Sequence, residues 1–288
     1  MALGAPRPQD LARRHRITAD KRLGQHFLFD PAILDRIAAA AGPFGADPVL
    51  EVGPGPGGLT RALLEQGVGE LVAVERDRRC LAALTELEAA AEGRLRLLAA
   101  DAREIDLPRL AAGRRLVIVA NLPFNVGTEL LLNWLHALDS VRRMVLMFQK
   151  EVAARLTASP GSAAYGRLSV LAGRLCRVER LFDLPPGAFT PPPRVHATVV
   201  RLIPREDRPS AALLAAIERV TRAAFGQRRK MLRSSLRALG VEPVALCEAA
   251  GVDPGRRAEE LPIEAFERLA RPLTSGDGRP AAAPRRRR

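Results

Sequence analysis

Cysteine is scarce in this sequence. The 288 residues hold three, Cys80, Cys176 and Cys247, far apart and odd in number. They fit neither a disulfide framework nor a zinc-ligand spacing, so no metal is expected, and they read as reduced core thiols of a cytoplasmic protein. Long apolar runs are missing as well: none reaches the roughly 18 residues that a membrane span needs. The first residues, MALGAPRPQDLARRHRITADKRLG, contain no apolar stretch of the kind that directs secretion. Aromatics make up 4% of the chain, with one Trp and one Tyr, so an aromatic next to polar loop residues calls for an explanation. Acids are outnumbered too. The 45 Lys and Arg against 32 Asp and Glu leave a formal charge of +13. A surface of that sign suits a polyanion, nucleic acid ahead of an anionic membrane.

What is present is ample apolar material, 47% of residues, enough for one large domain and a small one. Residues 1–25 read as a polar, basic arm carrying Arg13, Arg14, Arg16, Lys21 and Arg22. From 26 to 205 strand-like runs alternate with helical patterns. The runs are Val49–Gly53, Leu71–Glu75, Leu95–Ala99, Leu116–Ala120, Met144–Phe148 and Ala197–Ile203. Between them Leu130, Leu131, Trp134, Leu135 and Leu138 recur at helical spacing. The alternation predicts an α/β fold with a parallel, doubly wound sheet. Pro204 and the charged REDRPS that follows mark a linker. Residues 206–273 then read as a small helical domain, with Leu213, Leu214, Ile217, Val220 and Ala224 on one face. The tail 274–288, rich in Ala, Pro and Arg, reads as disordered. A monomer is expected.

Three motifs carry chemistry. The first is VLEVGPGPGGLT, a strand followed by alternating glycines and a helix. A tight strand-to-helix turn needs residues without Cβ, and a ligand then lies against the backbone. Gly53 and Gly55 are the cofactor-side candidates. Glu75, about 20 residues further on at the end of the next strand, is placed to hold a ribose diol. Glu51, set among apolar residues, must find hydrogen bonds from the loop N–H groups or from a ligand ammonium. The spacing is G-x-G-x-G with an acid upstream, which resembles the S-adenosylmethionine site of Rossmann-like methyltransferases rather than a pyrophosphate site. In AADAREIDL, Asp101 ends the third strand beside Ala102, where a carboxylate can accept an adenine amine or simply cap a turn.

The second motif is VIVANLPFNVGTE. Asn121 and Leu122-Pro123 end a core strand at the edge of the crevice where ligands of such sheets bind. The Asn121 amide oxygen and the Leu122 carbonyl can both accept from an aromatic NH₂. That makes the nitrogen more tetrahedral and aims its lone pair at an electrophilic methyl. Phe124 offers a face on which the target base can stack. The third is FGQRRKMLRSSLR, with Arg228, Arg229, Lys230, Arg233 and Arg237 and no acid among them. At helical spacing Arg229, Arg233 and Arg237 share one face, which suits phosphate contact.

With KRLGQHFLFD, MFQKEVAARL, YGRLSVL and FTPPPRVHATVVRL added, the chain resembles the ribosomal RNA adenine dimethyltransferases, the bacterial KsgA-type enzymes and their relatives, over about residues 20–270. The resemblance implies S-adenosyl-L-methionine as donor. It also implies two methyls on each of two adjacent adenosines near the 3′ end of 16S rRNA, added to the 30S subunit late in assembly. It implies that His26 and Leu28 line the cofactor pocket, that Gly53 meets the methionine part, and that Phe189 faces the target base opposite Phe124. Many relatives carry Asn where His26 stands and Tyr where Phe124 stands. His can donate a similar hydrogen bond, and Phe keeps the stacking face. Tyr165 and Arg167 read as a surface pair that holds RNA or caps a helix. Three other readings stand beside this one: a macrolide-resistance (Erm) type enzyme acting on large-subunit rRNA, an assembly factor in which catalysis is secondary, and, more weakly, a DNA adenine methyltransferase, for which no separate target-recognition domain is evident.

Overall fold

The computed structural model describes residues 4, 6–20 and 23–274. In chain order the elements are α1 (Pro8–Arg14), β1 (Phe27–Leu28), α2 (Pro31–Ala41), β2 (Val49–Val52), α3 (Gly58–Glu65), β3 (Leu71–Glu75), α4 (Arg78–Ala90), β4 (Leu95–Ala99), α5 (Leu107–Ala111), β5 (Leu116–Asn121) and α6 (Gly127–Trp134). There follow β6 (Val141–Gln149), α7 (Lys150–Leu156), α8 (Arg167–Leu175), β7 (Cys176–Leu184), β8 (Phe189–Thr190), β9 (Ala197–Pro204), α9 (Ala211–Gly226), α10 (Leu232–Ser235), α11 (Pro243–Ala249) and α12 (Ile263–Ala270). The chain divides into two compact units at Ala153/Ala154, Arg177/Val178 and Pro204/Arg205.

The first unit is built on a seven-stranded sheet in the order β4-β3-β2-β5-β6-β9-β7. The pairs from β4 through β6 are parallel, whereas β9 runs antiparallel to β6. The sheet is therefore parallel through β6, as the alternation of strands and helices predicts, and mixed beyond it. Strands β2 and β3 and all of β5 but its last residue are buried, as strands covered on both faces must be, and they read in sequence as unbroken apolar runs. On α6, Leu130, Leu131 and Trp134 are buried. All three cysteines are buried and unbridged. The strand order turns back at β2, which lies between β3 and β5, and the ends of these three strands frame the crevice that such a reversal creates.

The arm expected over residues 1–25 is not a free polar tether where it is described. Leu11 and Ile17 are buried with Cys80, Ala83 and Phe27. His15 and Arg14 both meet Glu86, at 2.8 and 3.0 Å. Burial of the two apolar residues accounts for the docking. Lys21, Arg22 and positions 275–288 lie outside the described residues.

The second unit takes residues 154–177 as well as the chain after Pro204. Residues 154–177, and α8 with them, fall in a stretch that the sequence pattern gives to the larger domain. The second unit's aromatic side chains form a chain of contacts, Tyr165 edge-on to Phe225 and Phe225 stacked on Phe266. Tyr165 is therefore not a surface residue. It is fully buried, and its hydroxyl donates to the Leu261 carbonyl at 2.9 Å. Arg167 opens α8. On α9, Leu214, Ile217, Val220 and Ala224 are buried as the periodicity predicts, and the Ser210 hydroxyl caps the first turn.

Candidate active site

The glycine turn begins where β2 ends. Gly53, Gly55 and Gly57 all have positive φ, at 70°, 56° and 86°, which side chains with a Cβ rarely tolerate. Close packing adds a second reason. A Cβ on Gly55 would lie 2.9 Å from the Phe27 ring, and one on Gly58 would lie 2.9 Å from the Leu28 carbonyl oxygen. At Gly53 a Cβ would meet nothing nearer than the Asn121 carbonyl, 4.0 Å away. The space beside Gly53 belongs to the cleft.

That cleft is lined by His26, Gly53, Gly55, Glu75, Asp101, Ala102, Asn121, Leu122, Pro123 and Phe124, among others. The structure thus brings together all the expected cofactor and catalytic residues except Leu28. Glu75 is 5% exposed, so it is no solvated charge. Its carboxylate accepts backbone N–H groups from Gly55 at 3.1 Å and from Arg76 and Asp77 at 2.8 Å each. Burial raises its pKa, and those hydrogen bonds oppose the shift. The loop N–H therefore goes to Glu75 and not to Glu51. Glu51 is buried with its Oε2 unpartnered among the described residues, and it faces a smaller hollow shared with Leu28, Gly53 and Asn121. Burial, reinforced by the charge of Glu75 and opposed by Thr60, pushes its carboxyl up to about 8.

Asp101 serves two ends. It caps the short turn Ala102–Glu104 by accepting from Arg103 N at 3.0 Å. Its oxygens also take the Arg103 guanidinium at 3.0 and 2.7 Å and Arg76 at 3.2 Å. The arginines, Arg103 above all, hold its carboxyl down to about 2. Neither arginine was singled out in the sequence, although both stand within two residues of a singled-out acid.

Asn121 donates its amide N–H to the His26 carbonyl at 2.9 Å. This orients the side chain with Oδ1 as the remaining acceptor. The Phe124 ring lies 5.6 Å from the His26 ring, tilted by 34°. Leu28 lies beside the main cleft, in the smaller hollow that it shares with Gly53 and Asn121. One expectation fails. Phe189 is 3% exposed in the sheet-face core, where its partner in the β1–β8 ladder is Leu28, so its ring has no open face for a base.

In the second unit the run 228–237 is not one helix. Arg229 lies in the turn after α9, Arg233 in α10, and Arg237 in a following 3₁₀ turn. Met231 bridges to Arg257 and breaks the helical path. The stretch lacks acids of its own, but Glu259 meets Arg228 at 2.7 Å. The side chains of Arg229, Lys230, Arg233 and Arg237 are exposed.

A Rossmann-like sheet with a glycine turn after β2, acids at the ends of the next two strands and an Asn-Leu-Pro-Phe strand end has the build of a methyltransferase. The pattern of the ribosomal RNA adenine dimethylase family matches residues 16–274, and the chain belongs to that family. It is 52% identical over 268 residues to a "Ribosomal RNA small subunit methyltransferase A" of Rhodospirillum rubrum, covering 93% of this chain and 92% of that one. A protein of the same name from Mesorhizobium japonicum is 53% identical, with 92% and 97% covered. Among solved structures, a dimethyladenosine transferase from Plasmodium falciparum superposes with a TM-score of 0.70 at 26% identity, covering 85% of this chain and 96% of that one. The 23S rRNA methyltransferase ErmE gives 0.67 at 26% identity, with 86% and 99% covered.

Proposed function

We propose that this chain dimethylates the N6 amines of two adjacent adenosines near the 3′ end of 16S rRNA, using S-adenosyl-L-methionine, on the 30S subunit late in its assembly and in the cytoplasm. The names borne by relatives above 50% identity favour this over the Erm type. The observation that carries the chemistry is the Asn121 amide, fixed by the His26 carbonyl so that Oδ1 is the acceptor left over.

The cleft fits the cofactor. Gly53 leaves space against bare backbone, and Glu75 and Asp101 stand at the ends of neighbouring strands. Bound there, S-adenosyl-L-methionine supplies a methyl on a positively charged sulfur. Glu75 takes the ribose hydroxyls while it holds the turn. Asp101 takes the adenine amine, sharing its oxygens with Arg103. Asn121 Oδ1 and the Leu122 carbonyl accept the two N–H bonds of the target amine and turn its lone pair outward. Pro123 stiffens the strand end, and Phe124 stacks on the base. The proton released from the methylated nitrogen passes to water, so no strong base is needed. Arg229, Lys230, Arg233 and Arg237 meet RNA phosphates.

The test is methyl transfer from labelled S-adenosyl-L-methionine to undermethylated 30S subunits, 50S subunits and duplex DNA, with product nucleosides identified by mass. Dimethyladenosine in 30S alone is expected. Label in the 50S subunit would make the Erm reading correct, and particle binding without transfer would leave an assembly factor.

A further inference from the structure

The segment around His26 reaches in two directions. Its backbone continues into β1, where Phe27 pairs with Thr190 and Leu28 with Phe189. One residue earlier, the ring of His26 extends that junction: Nδ1 lies 2.7 Å from the Pro191 carbonyl oxygen. A carbonyl only accepts, so Nδ1 carries the proton. On its other side His26 receives the Asn121 amide on its own carbonyl. One residue thus holds the Asn121 amide with its backbone and a separate loop with its side chain.

That loop, Pro191–His196, is exposed apart from Pro193. Its far end is also pinned, because Lys150 donates its backbone N–H to the His196 carbonyl at 2.9 Å. Between the two pins it presents Arg194, and Val195, which at 44% exposure is among the few large apolar side chains open to solvent. A cation beside an apolar contact is what a nucleotide next to a splayed base offers partners for, through its phosphate and its base face.

We infer that His26 is a positioning residue. Its ring N–H fixes the Pro191–His196 loop relative to the Asn121 amide, so that Arg194 and Val195 meet the RNA flanking the target base. The identity of that partner rests on the proposed function, whereas the tether itself does not.

Two substitutions separate the cases. His26→Asn places an amide N–H where Nδ1–H stands, and His26→Leu fills the space without a donor. Limited trypsin digestion of the folded protein reads the loop directly, since the Arg194–Val195 bond is a cleavage site. His26→Leu is expected to raise the cleavage rate there about fivefold, the effect of one lost neutral hydrogen bond on a local opening, and His26→Asn to restore it. In methyl transfer, KM for 30S subunits should rise by a similar factor of about five in His26→Leu and fall back in His26→Asn. Affinity for S-adenosyl-L-methionine without RNA is measured beside it, because His26 also lines the cofactor cleft. Equal cleavage in all three proteins would overturn the tether, and a loss confined to cofactor affinity would place the ring's role in the cofactor site instead. Should the Leu variant not fold, His26→Asp, shaped like Asn but lacking the N–H, carries the same comparison. If the unaltered protein methylates nothing while the cleavage contrast appears, the tether stands and the functional reading falls.

Discussion

Polar side chains are used in two different ways in this chain. Around the cleft of the first unit the motif side chains are pinned. Glu75 takes three backbone N–H groups, Asp101 takes two arginines, and Asn121 is turned by the His26 carbonyl. In the second unit Arg229, Lys230, Arg233 and Arg237 reach into solvent, whereas Arg228 of the same run is paired with an acid, Glu259. Chemistry on a particular atom requires a fixed geometry. Contact with a polyanion requires sign and reach, and tolerates loose side chains.

The sharpest way to break that comparison is Asn121→Ala. It should lower the single-turnover rate of methyl transfer on the order of 10²-fold, as for loss of a fixed polar group at the reacting atoms, and leave 30S binding intact. A near-normal rate would show that the pinned amide does nothing at the amine. Next, the double change Arg229→Glu, Arg233→Glu should weaken 30S binding and flatten its salt dependence by roughly two in log–log slope. Arg228→Ala should leave the slope nearly unchanged and lower the melting temperature instead. If Arg228 moved the slope as much as the others, its pairing with Glu259 would not set it apart.

Smaller effects probe the pinning itself. Tyr165→Phe strands the buried Leu261 carbonyl and should cost about 1–2 kcal/mol in denaturant unfolding. An unchanged midpoint would mean that water replaces the hydroxyl. Glu51 is probed through pH. Its folded-state pKa of about 8 lies above the ordinary 4.5, so the native protein binds more protons than the unfolded chain between those values. Its contribution to stability is complete below about pH 4.5 and is lost as pH rises through about 8. Glu51→Gln should therefore flatten the fall of melting temperature across that window. Parallel curves for the two proteins would refute the assignment.

The parts that were legible in sequence are those where local pattern and fold agree. The buried strands β2, β3 and β5 are continuous apolar runs, and the glycines mark a turn that a Cβ would obstruct. The motif acids sit at strand ends, where the sheet gathers them. What was not legible depends on distant partners. β7 is a half-exposed edge strand whose charges hide its period, and β1 and β8 are two residues each, too short for any pattern. Arg103 and Arg76 acquire a role only because Asp101 lies between them in space. The run 228–237 looks helical until Met231 is drawn to Arg257. Phe189 has the composition of a stacking residue, and only its burial shows that it is core. Tyr165 misled for the same reason, because a lone tyrosine beside an arginine has a surface look.

The placement of the rarest side chains has a practical consequence. The single tryptophan, Trp134, is buried in the first unit, and the single tyrosine, Tyr165, is buried in the second. Indole emission therefore follows the loss of structure in the first unit, while the phenol band in near-ultraviolet spectra follows it in the second. Each unit carries its own optical reporter, and whether the two melt as one cooperative body or in succession can be read from the unlabelled protein in a single heating experiment.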